Sequence, residues 1–161
     1  MCIFNPTEVR VLKPVTVYKV VIHTTYMGKN ETEDHWISPF RKCVISKDII
    51  KGEHNMIALR LDTVAGKYAV DRGYIHSYMN LEDAVKEYYL YYKRTFEDAS
   101  HQVEIYECEI PADMGKYGRG YCWRGYYGYE YPSMAAREIR FVRHIPSEEL
   151  FAIYDKLCKN K

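Results

Sequence analysis

The chain has 161 residues, 47% of them hydrophobic and 28% charged, and its 23 basic and 22 acidic side chains leave a net charge of +1. This balance lacks the basic excess that is typical of proteins binding nucleic acid without sequence preference. No apolar run approaches the roughly 20 residues that span a bilayer, and the N-terminus does not resemble a signal peptide. We therefore expect a soluble, cytoplasmic protein with one domain over residues 1–161.

The cysteine and tyrosine contents narrow the class of protein further. The five cysteines are widely spaced and form no C-x-x-C pair, so the sequence predicts neither a structural zinc site nor a disulfide framework, and no cofactor. Tyrosine is abundant, with 17 residues against five phenylalanines and two tryptophans. Because tyrosine combines apolar area with a hydroxyl that needs a partner, this content favours half-exposed sheet faces and binding surfaces.

The first half of the chain has the composition of strands. Residues 15–27 are rich in β-branched and aromatic side chains and predict one long strand. Residues 30–35 are polar and predict a loop, and residues 36–46 predict a short strand broken near Pro39. Residues 48–61 fit either a strand or a short helix, and two further short strands are expected within residues 68–78.

A helix is the clearest element of the sequence, and we place it at residues 81–97. Asn80 is suited to cap it, and acidic residues occupy its first turn, near the positive end of the helix dipole. Apolar side chains recur at helical spacing on one face, which leaves Glu87 on another face. The face consists of Leu81, Ala84, Val85, Tyr88 and Tyr92.

The last third of the chain predicts a strand at residues 102–110, a long irregular segment at 112–134, another strand and a final helix. Ile139, Phe141 and Ile145 are expected on one face of that later strand, and the helix begins after Pro146. The order of elements predicts an α+β fold with one twisted, largely antiparallel sheet and two helices packed on it.

Residues 112–134 form the first candidate site, because they contain five of the nine glycines and six tyrosines. Tyr121 and Trp123 offer flat faces for a nucleobase, and the nearby arginines offer forked donors for phosphate. His76, at the end of a predicted strand, is the further expected contact. The alternative is a curled hairpin whose tyrosines cover the sheet. The predicted ligand contacts are His76, Arg119, Tyr121, Trp123, Arg124 and Arg137.

Two catalytic alternatives are open from the residue types alone. His23, Tyr78 and Glu138 appear in the order used by one branch of the ADP-ribosyltransferase folds. Cys2 would become an N-terminal nucleophile after removal of Met1, as in amidohydrolases of that type. His76 also has the alternative of a local hydrogen-bonding role at the turn before the helix.

Three stretches of this sequence together resemble small proteins of gut bacteria and their phages. They are GYIHSY with LEDA at residues 73–84, ECEIP at 107–111 and AAREI at 135–139. In that family a GIHSF…LEDA segment precedes an IP.G..YY.G segment and a final strand, whereas here the middle segment is longer. The resemblance implies a phage accessory role and transfers no catalytic residue.

The sequence therefore predicts a non-catalytic protein that binds a small anionic, nucleotide-like ligand, with sequestration of a host nucleotide signal as one use. An ADP-ribosyltransferase-like enzyme and a protein–protein interaction module are the alternatives. No generic nucleic-acid binding and no membrane partner are expected, and homo-oligomer formation is left open.

Overall fold

The computed structural model of the protein describes ten stretches of the chain. They are residues 2–8, 11–27, 32–37, 44–45, 49–51, 59–63, 66–70, 74–112, 115–121 and 130–159. Side chains are described for residues 11–25, 34–36, 74–112 and 131–159.

Among these residues, twelve strands join into one hydrogen-bonded sheet in which each neighbouring pair is antiparallel. The order is β5-β12-β9-β2-β8-β11-β10-β1-β7-β6, with β3 joined to β2 and β4 to β3. The strands are β1 Cys2–Glu8, β2 Val15–Met27, β3 Thr32–Ile37, β4 Val44–Ile45, β5 Ile49–Lys51, β6 Leu59–Thr63, β7 Gly66–Val70, β8 Ile75–Tyr78, β9 His101–Ile110, β10 Gly115–Tyr121, β11 Glu130–Ala136 and β12 Glu138–His144.

The long strand β2 organises the sheet, and its predicted bounds are confirmed. It pairs with β9 from Val15 opposite Ile110 to Thr24 opposite His101. Its other edge pairs with β8 through Tyr18 and, further along, with β3. The prediction of a loop at residues 30–35 is wrong where β3 begins, because these polar residues complete a hairpin with β2. Cross-strand pairing here outweighs the low strand propensity of acidic residues.

Two apolar cores lie on the two faces of the sheet. Alternation along β2 directs Val17 and Val21 into one core and Val20 into the other. The first core is mainly aliphatic and includes Trp36, and we call this side the aliphatic face. The second core is rich in tyrosine and is covered by the helices, and we call this side the helix face.

A β-bulge in β12 places Ile145 on the face of the sheet opposite to the one that the sequence predicts. Phe141 lies opposite Cys108, but Arg143 lies opposite the next residue of β9, Glu107, so one extra residue enters β12. The extra residue reverses the faces beyond it. Ile145 therefore packs in the core of the helix face, whereas Ile139 lies in the core of the aliphatic face. The expectation that both share one face is wrong for this reason.

The predicted helix at residues 81–97 is confirmed within one residue, and we call residues 81–96 helix α1. It is α-helical over Leu81–Glu87, π-helical over Tyr88–Tyr92 and α-helical over Lys93–Phe96. The wider π-helical turn is visible in the amide of Lys93, which donates to the carbonyl of Tyr88, five residues earlier.

Two side chains of α1 differ from the sequence prediction. Asn80 occupies the N-cap position but makes no side-chain capping bond, because its amide donates instead to the Asp83 carboxylate at 3.0 Å. Glu87, expected away from the apolar face, is only 4% exposed, and the Tyr131 hydroxyl donates to its Oε1 at 3.0 Å. A partner on the sheet thus makes burial of this polar residue tolerable.

The second helix, α2, spans Ser147–Lys159, as the sequence predicts. Its Leu150 is buried in the core of the helix face, and its Tyr154 ring stacks on Tyr89 of α1 at 4.3 Å between centroids. The α+β fold with an antiparallel sheet and two helices is therefore confirmed. Neither helix is long and apolar enough to cross a membrane, within the part of the chain that the structure describes.

Candidate functional site

The three residues of the transferase alternative lie in different parts of the sheet. Tyr78 lies opposite Tyr18, five residues along β2 from His23, which is about 16 Å of strand. Its ring is in the core of the helix face, whereas His23 stacks on Trp36, a member of the aliphatic core. Glu138 lies two residues before Arg140 on β12. Arg140 is opposite Glu109, which is at the far end of β9 from His23. The structure does not bring the three together.

The predicted glycine- and tyrosine-rich site has the backbone of a hairpin, as its alternative reading expects. Strands β10 and β11 pair from Gly115 opposite Ala136 to Tyr121 opposite Glu130, with Arg119 opposite Pro132. The side chains of Arg119 and Tyr121 lie outside the described ones, and residues 122–129, with Trp123 and Arg124, lie outside the described residues. Cys2 begins β1 with its backbone opposite Tyr121.

The two described members of that predicted set differ in exposure. Arg137 is exposed between β11 and β12, and its guanidinium carbon lies 5.6 Å from the centre of the Tyr74 ring. His76 is buried on β8 opposite Ala135, and its carbonyl accepts a 2.8 Å hydrogen bond from the buried Lys19 ammonium. The backbone of His76 therefore serves as the partner of a buried cation, which explains how Lys19 is accommodated.

A cleft lies at the end of strands β2 and β9, and described residues line it. Its volume is about 320 Å³, and polar side chains form most of its lining. The volume is at the lower end of the roughly 300–1,000 Å³ that small-molecule sites occupy. The lining residues are His23, Thr25, Ala99, Ser100 and Gln102.

His23 forms the inner wall of this cleft and is held from three sides. Its ring stacks on Trp36 with centroids 4.9 Å apart and an interplanar angle of 3°. Its Nδ1 lies 3.2 Å from Glu104 Oε1, and its Nε2 lies 3.2 Å from Asp34 Oδ1. The second contact has ion-pair distance without hydrogen-bond geometry. Of the two nitrogens, Nδ1 therefore shares a hydrogen bond with a carboxylate, and Nε2 lies near one without such a bond.

Glu104 is the acceptor that joins this group, and its side chain is 16% exposed. Besides His23, it receives the Trp36 indole N–H at 3.4 Å and the Tyr106 hydroxyl at 3.0 Å. Burial and the neighbouring Glu104 carboxylate raise the pKa of Tyr106 to about 12. We refer to His23, Asp34, Trp36, Glu104 and Tyr106 as the cleft network.

The opposite side of the cleft is a turn built by Asp98. Its Oδ1 accepts the backbone N–H of Ser100 at 2.7 Å and that of His101 at 2.9 Å. These bonds, first the one from Ser100 and then the side chain of His101, hold the pKa of the Asp98 carboxyl below its usual range. The turn fixes where Ser100 meets the cleft, next to Gln102 on β9.

Among the described residues, three carboxylates lie close to residues that line the cleft. Asp34 and Glu104 contact His23, and Asp98 holds the turn that carries Ser100. Within the described residues, no group of three or more His, Cys, Asp or Glu is arranged to hold a metal ion. The side chains of Thr25, Ser100 and Gln102 that line the cleft can donate and accept hydrogen bonds.

Sequence reasoning found one member of the cleft, His23, and missed the rest. The pairing explains why: Trp36 lies directly opposite His23 on β3, and Glu104 and Asp34 lie diagonally from it on the two flanking strands. These residues are 13, 81 and 11 positions away in the chain, so only the register brings them together. A polar His23 in phase with buried Val17 and Val21 was the available signal.

No family model, curated protein or solved structure matches this chain.

Proposed function

We propose that this protein binds a small nucleotide-like ligand without catalysing a reaction, and that the nucleoside part of the ligand occupies the cleft at His23. The observation that carries this proposal is a polar cleft of about 320 Å³ whose inner wall, His23, is fixed by the cleft network. Because the network already fixes the His23 side chain, ligand binding costs little conformational entropy at this residue, and this favours affinity.

The lining residues match the chemistry of a nucleobase edge. Gln102 is an exposed carboxamide that donates and accepts at once, which is how glutamine pairs with adenine. Ser100 adds a hydroxyl from the turn on the other side of the cleft. The part of His23 that remains exposed, 22% of its side chain, supplies aromatic surface for a flat ring.

The same geometry favours binding over catalysis. A general base must reach the proton that it abstracts, and the Nε2 of His23 is buried, 3.2 Å from Asp34 Oδ1. Its Nδ1 is directed at Glu104. One nitrogen is engaged with Glu104 and the other is buried, and both observations favour His23 as part of the cleft wall over His23 as a base.

The remaining parts of the sequence expectation stay predictions. Phosphate contacts from Arg119, Arg124 and Arg137, and sequestration of a host nucleotide signal by a phage accessory protein, are consistent with a binding role.

Isothermal titration calorimetry with the four ribonucleosides and their monophosphates tests the proposal. We expect at least one to bind, and Gln102→Ala to weaken that binding by about tenfold, because a paired amide contributes about 1–3 kcal/mol. Thr16→Ala, at an exposed position on the other half of β2, is the matched control and should leave affinity unchanged. Absence of heat with every compound, or equal affinity in the Gln102 variant, would refute the proposal.

A further inference from the structure

We infer that the cleft prefers purine nucleosides to pyrimidine nucleosides, because the ligand base stacks on the face of the His23 ring that Trp36 does not cover. The base is then the third layer of a stack that begins at Trp36. This inference rests on the proposed function and specifies the class of nucleoside and the contact that selects it. It follows from the strand register, the orientation of the His23 ring and the residues that line the cleft.

The strand register places His23 between Trp36 and Gln102. Strand β2 lies between β3 and β9 at this point, and His23 is opposite Trp36 on β3 and opposite Gln102 on β9. The rings of His23 and Trp36 are parallel within 3°, with centroids 4.9 Å apart. Because this separation is close to the spacing of neighbouring strands, about 4.8 Å, Trp36 covers the face of the imidazole that is turned to β3. The other face is turned to β9.

The surface that His23 offers to a ligand is mainly its ring face. Its Nδ1 shares a hydrogen bond with Glu104 at 3.2 Å, and its Nε2 is buried. Yet 22% of the His23 side chain is exposed, and the side chain lines the cleft. Histidine is one of the side chains on which unpaired bases stack in nucleic-acid complexes, so a flat ligand ring is the partner that suits this face.

The other lining residues leave space for a base on that face. Gln102 and, in the turn before β9, Ala99 and Ser100 line the cleft with exposed side chains. A ring that stacks on His23 from this side stands above β9 and turns its edge to the Gln102 carboxamide. The face contact and the edge contact are perpendicular to each other, so one base can make both.

The stacking contact favours a purine because the overlap of two rings grows with their area. A purine has two fused rings where a pyrimidine has one. The edge contact does not supply this preference, since each nucleobase presents a neighbouring donor and acceptor to which the Gln102 carboxamide can turn. Trp36 and Glu104 hold the imidazole in one orientation, so little freedom is lost when a base stacks on it.

Calorimetric titration of the unmodified protein with adenosine, guanosine, cytidine and uridine tests the preference. We expect the tightest of the four to be a purine nucleoside, by about threefold or more over either pyrimidine nucleoside. Proton magnetic resonance of the His23 Cε1–H, assigned with His23→Phe, tests the stack itself. The ring current of a base above the imidazole should move this signal upfield, whereas a base in the plane of the imidazole moves it downfield.

Replacement of His23 by phenylalanine or by leucine separates a flat ring from apolar bulk. Both variants lose the hydrogen bond to Glu104, but only His23→Phe keeps a ring against Trp36. We expect His23→Phe to bind the preferred purine nucleoside about tenfold more tightly than His23→Leu does. Thr16→Ala is again the control and should bind as the unmodified protein does. If a variant folds poorly, the nucleoside series and the Cε1–H signal of the unmodified protein still decide.

The outcomes separate the stacking from the proposed function. A pyrimidine nucleoside that binds as tightly as the best purine nucleoside overturns the preference, and a Cε1–H signal that does not move upfield overturns the stack. In either case, a loss of affinity in Gln102→Ala leaves the proposed function standing. If no nucleoside or nucleotide binds, both claims fail.

Discussion

Two groups of hydrogen-bonded polar side chains lie on opposite faces of the sheet, and they differ in whether other residues cover them. On the helix face, Tyr131 donates to the buried Glu87 at 3.0 Å, and the hydroxyls of Tyr78 and Tyr92 meet at 3.1 Å under α1. On the aliphatic face, the cleft network gathers around Glu104 at the end of the sheet. The first network is closed by the helices, and the second borders a cleft.

The difference lies in what covers each network. Glu87 is 4% exposed on the side of α1 where the Tyr131 hydroxyl donates to it, so this hydrogen bond contributes to the stability of the fold. The cleft network reaches the surface through His23 and Asp34, so its hydrogen bonds also fix a wall that a ligand can touch. Removal of a group from the closed network should therefore affect stability alone, and removal from the cleft network should affect stability and binding.

The largest effect is expected for Glu104→Ala. The substitution removes the shared acceptor of His23, Trp36 and Tyr106, and we expect it to lower the free energy of unfolding by about 3 kcal/mol. Urea denaturation followed by tryptophan fluorescence measures the change. Glu109→Ala on the same strand is the control, with an expected change of about 0.5 kcal/mol or less. Equal losses in the two variants would mean that Glu104 is not the centre of a network.

Tyr131→Phe tests the closed network with a smaller change. It removes the hydroxyl that donates to Glu87 while it preserves the ring, and we expect a loss of about 1–2 kcal/mol with no change in ligand affinity. Tyr89→Phe, whose ring packs against Tyr154, is the control and should change stability by about 0.5 kcal/mol or less. A loss of ligand binding in Tyr131→Phe would contradict the separation of the two networks.

The sequence predicted elements better than it predicted either network. The bounds of β2, β9 and the two helices follow from local composition and periodicity, which depend on near neighbours. The bulge in β12 and the burial of Glu87 depend on partners far along the chain, so periodicity placed Ile145 on the wrong face and did not predict the burial of Glu87.

The candidate site was harder to predict for the same reason. The cleft needs β2, β3 and β9 in a particular register, and a slip of one residue would turn His23 to the other face. Arginine and tyrosine composition drew attention to residues 112–134, whereas the described cleft is lined by histidine, threonine, serine and glutamine. Composition indicates which chemistry a segment can offer, but it does not show which side chains meet.

The raised pKa of Tyr106, a member of the cleft network, makes the stability of the fold depend on pH. Its pKa is raised from 10 to about 12 in the folded protein, so the unfolded chain loses this proton first as the pH rises. Stability linked to Tyr106 is therefore complete below pH 10 and is lost between about pH 10 and 12. After a discount for partial solvent screening, we expect about 1 kcal/mol.

The pH dependence of tyrosinate absorbance, compared between the unmodified protein and Tyr106→Phe, measures the ionisation step of Tyr106. Glu104→Gln should move the step back towards pH 10, because it removes the neighbouring negative charge. A step that stays near pH 12 in that variant would assign the shift to burial alone.

The smallest effect is expected at an exposed ion-pair group that belongs to neither network. Arg143 donates two hydrogen bonds to Glu149 at 2.9 and 3.0 Å and one to Glu107 at 3.1 Å. The Arg143 guanidinium holds the pKa of the Glu149 carboxyl below its usual range. Because the group is exposed, Arg143→Ala should lower the free energy of unfolding by much less than Tyr131→Phe does, and about 0.3 M salt should reduce the loss further. A loss as large as that of Tyr131→Phe would remove the distinction between exposed and enclosed networks.

The central claim is that ligand binds at the cleft, and the two tryptophans of the chain allow a direct test. The Trp36 indole N–H donates to Glu104 in the cleft network, whereas Trp123 lies in the segment first suggested by composition. Nuclear magnetic resonance of the two indole N–H signals, assigned with Trp123→Phe, follows both during titration with adenosine or whichever nucleoside binds. The Trp36 signal should shift to saturation while the Trp123 signal stays in place. A shift of Trp123 with Trp36 unchanged would contradict the account.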